Sequence, residues 1–253
     1  PKYVDDIAGD LLNPIFTSFF ARDLISPAQK FSVGPYRYVK DRGYAFEQKL
    51  NSNTRGYLDK QLKDYVADEK AANIPLMFFN SVVSRDGRKM IISTQPVRFL
   101  MKAREDTSRI PATDPDAIDF NSFFARQDPF SLRMLTALRM NATFPVVLPN
   151  VWLPSDPVID VMDAGLRDNY GEESTLRFLV AMDKWIRENT GAVLIIQIRD
   201  RKSGGWEHPS VSDNIGDHAT KPFFLLQHNW FRMMEYSQNE MLNFYSTFSG
   251  NII

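Results

Sequence analysis

The sequence predicts an α/β fold, a sheet-and-helix domain with a largely buried sheet, and three observations carry that prediction. Short apolar runs rich in β-forming residues recur at residues 75–83, 158–162 and 192–198. Amphipathic stretches with helical spacing separate them, at residues 4–20, 44–65 and 172–189. With 43% hydrophobic and 13% aromatic residues, a chain of 253 residues can also bury a substantial core.

Taken in order, residues 4–20 place Ile7, Leu11, Ile15 and Phe19, and beside them Leu12, Phe16 and Phe20, at spacings of three and four; Pro14 marks an expected kink or boundary. Residues 44–65 repeat that pattern with Phe46, Leu50, Leu58, Leu62 and Tyr65. Pro75-Leu-Met-Phe-Phe-Asn-Ser-Val-Val83 and Lys89-Met-Ile-Ile-Ser93 read as two strands joined by a hairpin, because Asp86-Gly87 supplies turn chemistry between them. Residues 114–124 and 131–140 read as helices flanking Asp128-Pro129, and residues 141–149 as extended or irregular chain bounded by Pro145 and Pro149.

Val158-Ile-Asp-Val-Met162 reads as a buried strand running into a turn-rich loop, Asp163 to Gly171. The helix expected over 172–189 has acidic residues in its first turn and Gly191 at its end. Residues 192–198 read as another buried strand, 200–221 as a long surface loop or lid, and 222–253 as a helical covering segment dense in Phe, Met and Trp. The stretch 223–248 reads as a core or covering helix in preference to an acyl-chain channel or a membrane-facing surface. The whole of 1–253 is expected to be a single domain, with no internal repeat.

Composition excludes several kinds of function. Thirty basic and 31 acidic residues nearly cancel, so no broad positive field draws the chain onto nucleic acid. The absence of cysteine removes disulfides, thiolate metal sites and a cysteine nucleophile. His208, His218 and His228 recur every ten residues, which suits neither a helical ligand pair nor a compact loop site, so no metal and no cofactor is expected. No apolar run reaches the roughly 20 residues of a spanning helix. The opening Pro1-Lys-Tyr-Val-Asp-Asp6 has neither an initiator methionine nor a signal-peptide pattern, which suggests a fragment. Arg22 and Arg42, each near acidic residues, read as helix-surface pairs.

The chemistry-bearing feature is a strand end that presents Asp163-Ala164-Gly165, because strand ends in α/β sheets are where reactive groups are commonly held. Asp163-Ala-Gly165 followed by Asp168-Asn-Tyr-Gly171 resembles the aspartate loop of patatin-like lipid acyl hydrolases. The stretch Ala137-Leu-Arg-Met-Asn-Ala-Thr-Phe-Pro145 resembles the segment that precedes that loop in the family, and Phe20-Ala-Arg-Asp-Leu-Ile-Ser-Pro27, Arg42 with Glu47, and Asp86-Gly-Arg88 resemble earlier elements. The resemblance spans about residues 5 to 190.

The resemblance implies a three-layer α/β/α domain, lacking its N-terminal strand-helix units in this chain. It also implies a Ser–Asp dyad in which Asp163 is the general base, with Ala164, Gly165 and Asn169 binding substrate or positioning the loop. A lipid or ester is then the substrate, and a membrane surface a further partner. The sequence departs from the family at two points. None of the 12 glycines is followed two residues later by serine, so the Gly-x-Ser-x-Gly elbow is absent and the nucleophile is expected upstream of Pro1. Ala164 stands where the family most often has glycine. The alternative is a noncatalytic patatin-like scaffold that serves as a binding or regulatory module.

Overall fold

The computed structural model describes residues 6, 9–25, 29–101, 115–143, 148–199, 229–230 and 232–246. It is a mixed α/β structure, and it divides into two compact units, Pro1–Ala164 and Gly165–Ile253. The lid expected over 200–221 and all three histidines lie outside the described residues.

In the first unit, α1 (Leu12–Ser18) starts where Asp10 Oδ1 accepts the N–H groups of Leu12, at 2.9 Å, and Asn13, at 3.2 Å. Pro14 marks the helix start, the boundary of the two roles expected for it. It lies in the first turn, where its missing N–H would have had no helical partner. The helix runs on as a π-helical turn, Phe19–Asp23. Of its two apolar stripes only one faces inward: Ile15 is buried, whereas Leu12, Phe16 and Phe20 are exposed.

A two-stranded antiparallel hairpin follows, β1 (Lys30–Val33) and β2 (Tyr36–Val39). Asp41 caps α2 (Arg42–Asn53) by accepting the N–H of Tyr44 at 2.9 Å. The long helix expected over 44–65 is therefore divided. It ends at Asn53, where the Thr54 hydroxyl donates to the carbonyls of Leu50 and Asn51, and Arg55 and Gly56 turn the chain with φ of 56° and 82°. A 3₁₀ turn (Leu62–Tyr65) and the short α3 (Val66–Lys70) complete this stretch.

The main sheet has five strands, in the order β5 (Ala117–Asp119), β4 (Lys89–Ile92), β3 (Phe79–Val83), β7 (Asp160–Asp163) and β6 (Val151–Trp152). β3 and β4 form the expected antiparallel hairpin, with Gly87 at φ +73° and Asp86 accepting the Arg88 N–H at 3.1 Å. Both strands are buried along their whole length, as continuous apolar runs require. β4 pairs in parallel with β5, and β3 pairs antiparallel with β7, whose other edge carries β6.

The helix expected over 114–124 is corrected by this sheet. The free edge of β4 takes Ala117–Asp119 as a strand, and Asp119 then caps α4 (Phe120–Phe123) by accepting the Asn121 N–H at 3.1 Å. α5 (Met134–Met140) contributes Met134, Leu135, Ala137 and Met140 to the core beneath the sheet, together with Tyr36, Leu62, Phe120, Leu132 and Val161.

The pairing of Arg42 is also corrected. It is not a surface pair: its backbone N–H and guanidinium both donate to Asp23, at 3.1 and 2.8 Å, with both side chains mostly buried, which ties the π-helical turn to the start of α2. Arg22 lies 6.0 Å from the centre of the Tyr44 ring.

In the second unit the α6 helix (Glu172–Asn189) has the expected bounds, and residues 232–246 are helical. The expected buried strand at 192–198 is corrected. These residues belong to none of the sheet strands, and Leu194, Ile196 and Ile198 are exposed while the residues between them are partly buried. The side-chain alternation is that of extended chain, with a β-bridge at Val193 and no strand among the described residues of this stretch.

Candidate functional site

Asp163 is the last residue of β7 and is partly buried. Three segments of the first unit meet there. Its cross-strand partner on β3 is Ser81, and its backbone N–H donates to the Thr143 carbonyl at 3.3 Å. Directly paired residues of antiparallel strands present their side chains on the same face, so Ser81 and Asp163 are neighbours on one side of the sheet. Thr143 is held in turn by its own hydroxyl, which donates to the Arg139 carbonyl at 2.9 Å, the last turn of α5 continuing into the chain beside the aspartate. Asn141 anchors the same stretch to β3: its Oδ1 accepts the Asn80 N–H at 3.1 Å and its Nδ2 donates to the Ala137 carbonyl at 2.8 Å. Residues 137–143 and the aspartate, linked in sequence only by order and distance, are thus adjacent in space.

Ser81 is not an accessible nucleophile. It is fully buried in mid-strand, and its hydroxyl reaches the Met90 carbonyl at 3.5 Å. No tight turn lifts it out of the sheet in the way an attacking serine requires.

The other expected site residues divide at the boundary between the units. Ala164 is buried and, with Gly165 and Leu166, forms a single 3₁₀ turn leaving β7. Gly165 is buried as well. Asn169 is exposed in a turn, and its side chain makes no hydrogen bond among the described residues.

Asp168, part of the loop pattern but with no role expected from sequence, is the ordering residue of its loop. It is 1% exposed; its two oxygens accept the N–H groups of Glu173, at 2.9 Å, and Ser174, at 3.0 Å, and the Ser174 hydroxyl donates to it at 2.8 Å. Those are two of the orphan donors at the start of α6. The signal was available in the sequence as an acidic residue a few positions before a helix start, followed by Glu173-Ser174.

Glu172 is a second group that sequence reasoning missed. Burial pushes its carboxyl up to about 7, against the opposing pull of Arg199 and with further upward pressure from Asp168 and Glu235. Arg199 approaches Glu172 at 3.5 Å, pairs with Glu235, donates to Asn239 at 2.7 Å and stacks 4.9 Å from the Tyr170 ring centre.

Among the described residues, cavities of about 810 and 730 Å³ lie in the first unit, and Asp163 lines neither. Among the described residues no helix is long and apolar enough to cross a membrane. No family model, no curated protein and no solved structure matches the chain.

Proposed function

We propose that the chain is part of a serine lipid acyl hydrolase with a patatin-like three-layer architecture, in which Asp163 is the general base for a serine contributed by residues outside these 253. The supporting observation is the convergence at Asp163: a carboxylate at the end of a sheet strand, its backbone bonded to Thr143 and its strand paired at Ser81. A strand end paired to β3 fixes its position, the geometric requirement for a general base. In this reading the aspartate accepts the serine proton as the serine oxygen bonds to the ester carbonyl carbon. The alcohol leaves with a proton, and water then releases the acid from the acyl-enzyme. Gly165 and Asn169 shape the loop, and the substrate is a phospholipid or neutral ester presented at a membrane surface.

The experiment is an esterase assay with a short-chain ester, on the longer polypeptide that joins these residues to a Gly-x-Ser-x-Gly serine. Asp163→Asn is expected to lower the rate by about 10²–10⁴, the usual contribution of a general base. Ser81→Ala, at a buried strand position, leaves it within a few-fold. A rate within about tenfold of wild type for Asp163→Asn removes the aspartate from the mechanism.

A second reading, a noncatalytic scaffold of the same type, is favoured by the missing elbow. Polypeptide preceding Pro1 that also lacks such a serine decides for it.

A further inference from the structure

The hairpin β1–β2, the 3₁₀ turn Ala125–Gln127 and the chain following β6 line the open cavity of about 810 Å³, a volume suited to a small organic ligand. Its wall carries three cations, Lys30, Arg37 and Arg126. All three are exposed, and among the described residues none has an ion-pair partner.

Two of the three carboxylates on that wall are already neutralised from behind. Asp23 is paired with Arg42 at 2.8 Å and Asp41 with Arg139 at 2.9 Å. Asp156 alone is left against three positive groups, so the cavity is positive within a chain whose net charge is only −1. An open concave surface with such a local excess concentrates anions.

The remainder of the wall is largely apolar. Trp152, on the edge strand β6, leaves 56% of its surface exposed, and Val158 is likewise exposed. A free inorganic anion would satisfy the cations and leave this indole in water. A neutral hydrophobe would cover the indole and leave the cations unmatched. The geometry points to a binding site for an anionic amphiphile: a phosphate or carboxylate head held by Lys30, Arg37 and Arg126, and an apolar body laid against Trp152 and Val158. The site is separate from Asp163, so it stands or falls independently of the proposed hydrolase chemistry.

Isothermal titration calorimetry of the chain with n-decyl phosphate and with decanoate, each below its micelle concentration, tests the assignment. Decyltrimethylammonium and inorganic phosphate are the charge-reversed and tailless probes. At least one of the two anionic amphiphiles is expected to bind with one equivalent per chain, and the stronger of them identifies the head group. The cationic and tailless probes are expected to bind at least about tenfold more weakly, and affinity to fall as salt rises from about 50 to about 500 mM. The double variant Arg37→Gln/Arg126→Gln weakens binding about tenfold or more, and Trp152→Ala weakens the amphiphile while leaving inorganic phosphate unchanged. All three substituted side chains are exposed, so the variants keep their fold, which near-ultraviolet circular dichroism verifies. Failure of both anionic amphiphiles to bind, equal affinity for the cationic one, or a double variant within about twofold of wild type overturns the proposal.

Discussion

A carboxyl group that ionises reluctantly makes stability depend on pH, and Glu172 is such a group. It is 3% exposed, its Oε2 has no hydrogen-bond partner among the described residues, and burial pushes its pKa up to about 7. The folded chain therefore keeps the proton while the unfolded chain releases it near the ordinary value of 4.5. Between those values the folded state binds more protons than the unfolded state, so the stability that Glu172 contributes is complete below the lower value and is lost as pH rises through the upper one. Glu172→Gln stays neutral throughout. Urea midpoints measured across that window are expected to fall with rising pH for the wild type relative to the variant; a constant separation between them contradicts the assignment. The place of Asp163 was legible at this scale, since the apolar run Val158–Met162 ends there and a turn-rich loop follows. Glu172 was not legible, because the burial that raises its pKa is a product of the fold, and the Arg199 and Glu235 groups that act on it are distant in sequence.

At the scale of elements, the start of α6 depends on a residue four positions upstream of it. Asp168 replaces water as the acceptor for two backbone N–H groups, and it does so almost wholly buried. Asp168→Ala is expected to cost about 1–2 kcal/mol, the upper part of the range for a lost helix cap, and Asp168→Asn less. Denaturant titration followed by far-ultraviolet circular dichroism measures both; a change below about 0.5 kcal/mol for the alanine variant means that the cap is dispensable. Turn and cap chemistry made α6 and the β3–β4 hairpin readable in advance, because Gly87, Asp86 and the acidic first turn act on their immediate neighbours. The same logic failed for β5. Whether Ala117–Asp119 is strand or helix is decided by the edge of β4 beside it, and no local pattern reports that edge. It failed again at residues 192–198, where an apolar run described a side-chain pattern without identifying what would cover it.

Across the first unit, a buried ionic network connects elements that are far apart in the chain. Glu47 on α2 meets Arg133 at 2.7 Å and Arg139 at 3.6 Å and accepts the Thr136 hydroxyl at 3.2 Å. Arg133 lies against the Phe31 and Tyr38 rings, and Arg139 reaches Asp41. Burial pushes the Glu47 carboxyl upward and the two arginines oppose it. Such a network costs desolvation, so its net contribution is modest, yet removing one member strands the others. Glu47→Ala leaves two arginines buried beside an empty site and is expected to destabilise by about 3–5 kcal/mol in chemical denaturation. A loss under about 1 kcal/mol would mean that water replaces the carboxylate without strain. α2 is fitted closely to this network: a Cβ at Gly43 would come within 2.1 Å of the Arg139 guanidinium carbon, so the helix approaches the ion pair along its one residue without a side chain.

The sequence by itself determined the mixed α/β class, the hairpin, the bounds of α6 and the position of Asp163 at a strand end, because periodicity, caps and turn residues act over a few neighbouring positions. Only the tertiary structure decided the strand order, the exposure of Leu12, Phe16 and Phe20, the burial of Glu47 with Arg133 and the assembly of the cationic cavity. Each of those depends on groups separated by tens of residues, and the free energy of covering a surface or pairing a charge is set by what the fold brings against it.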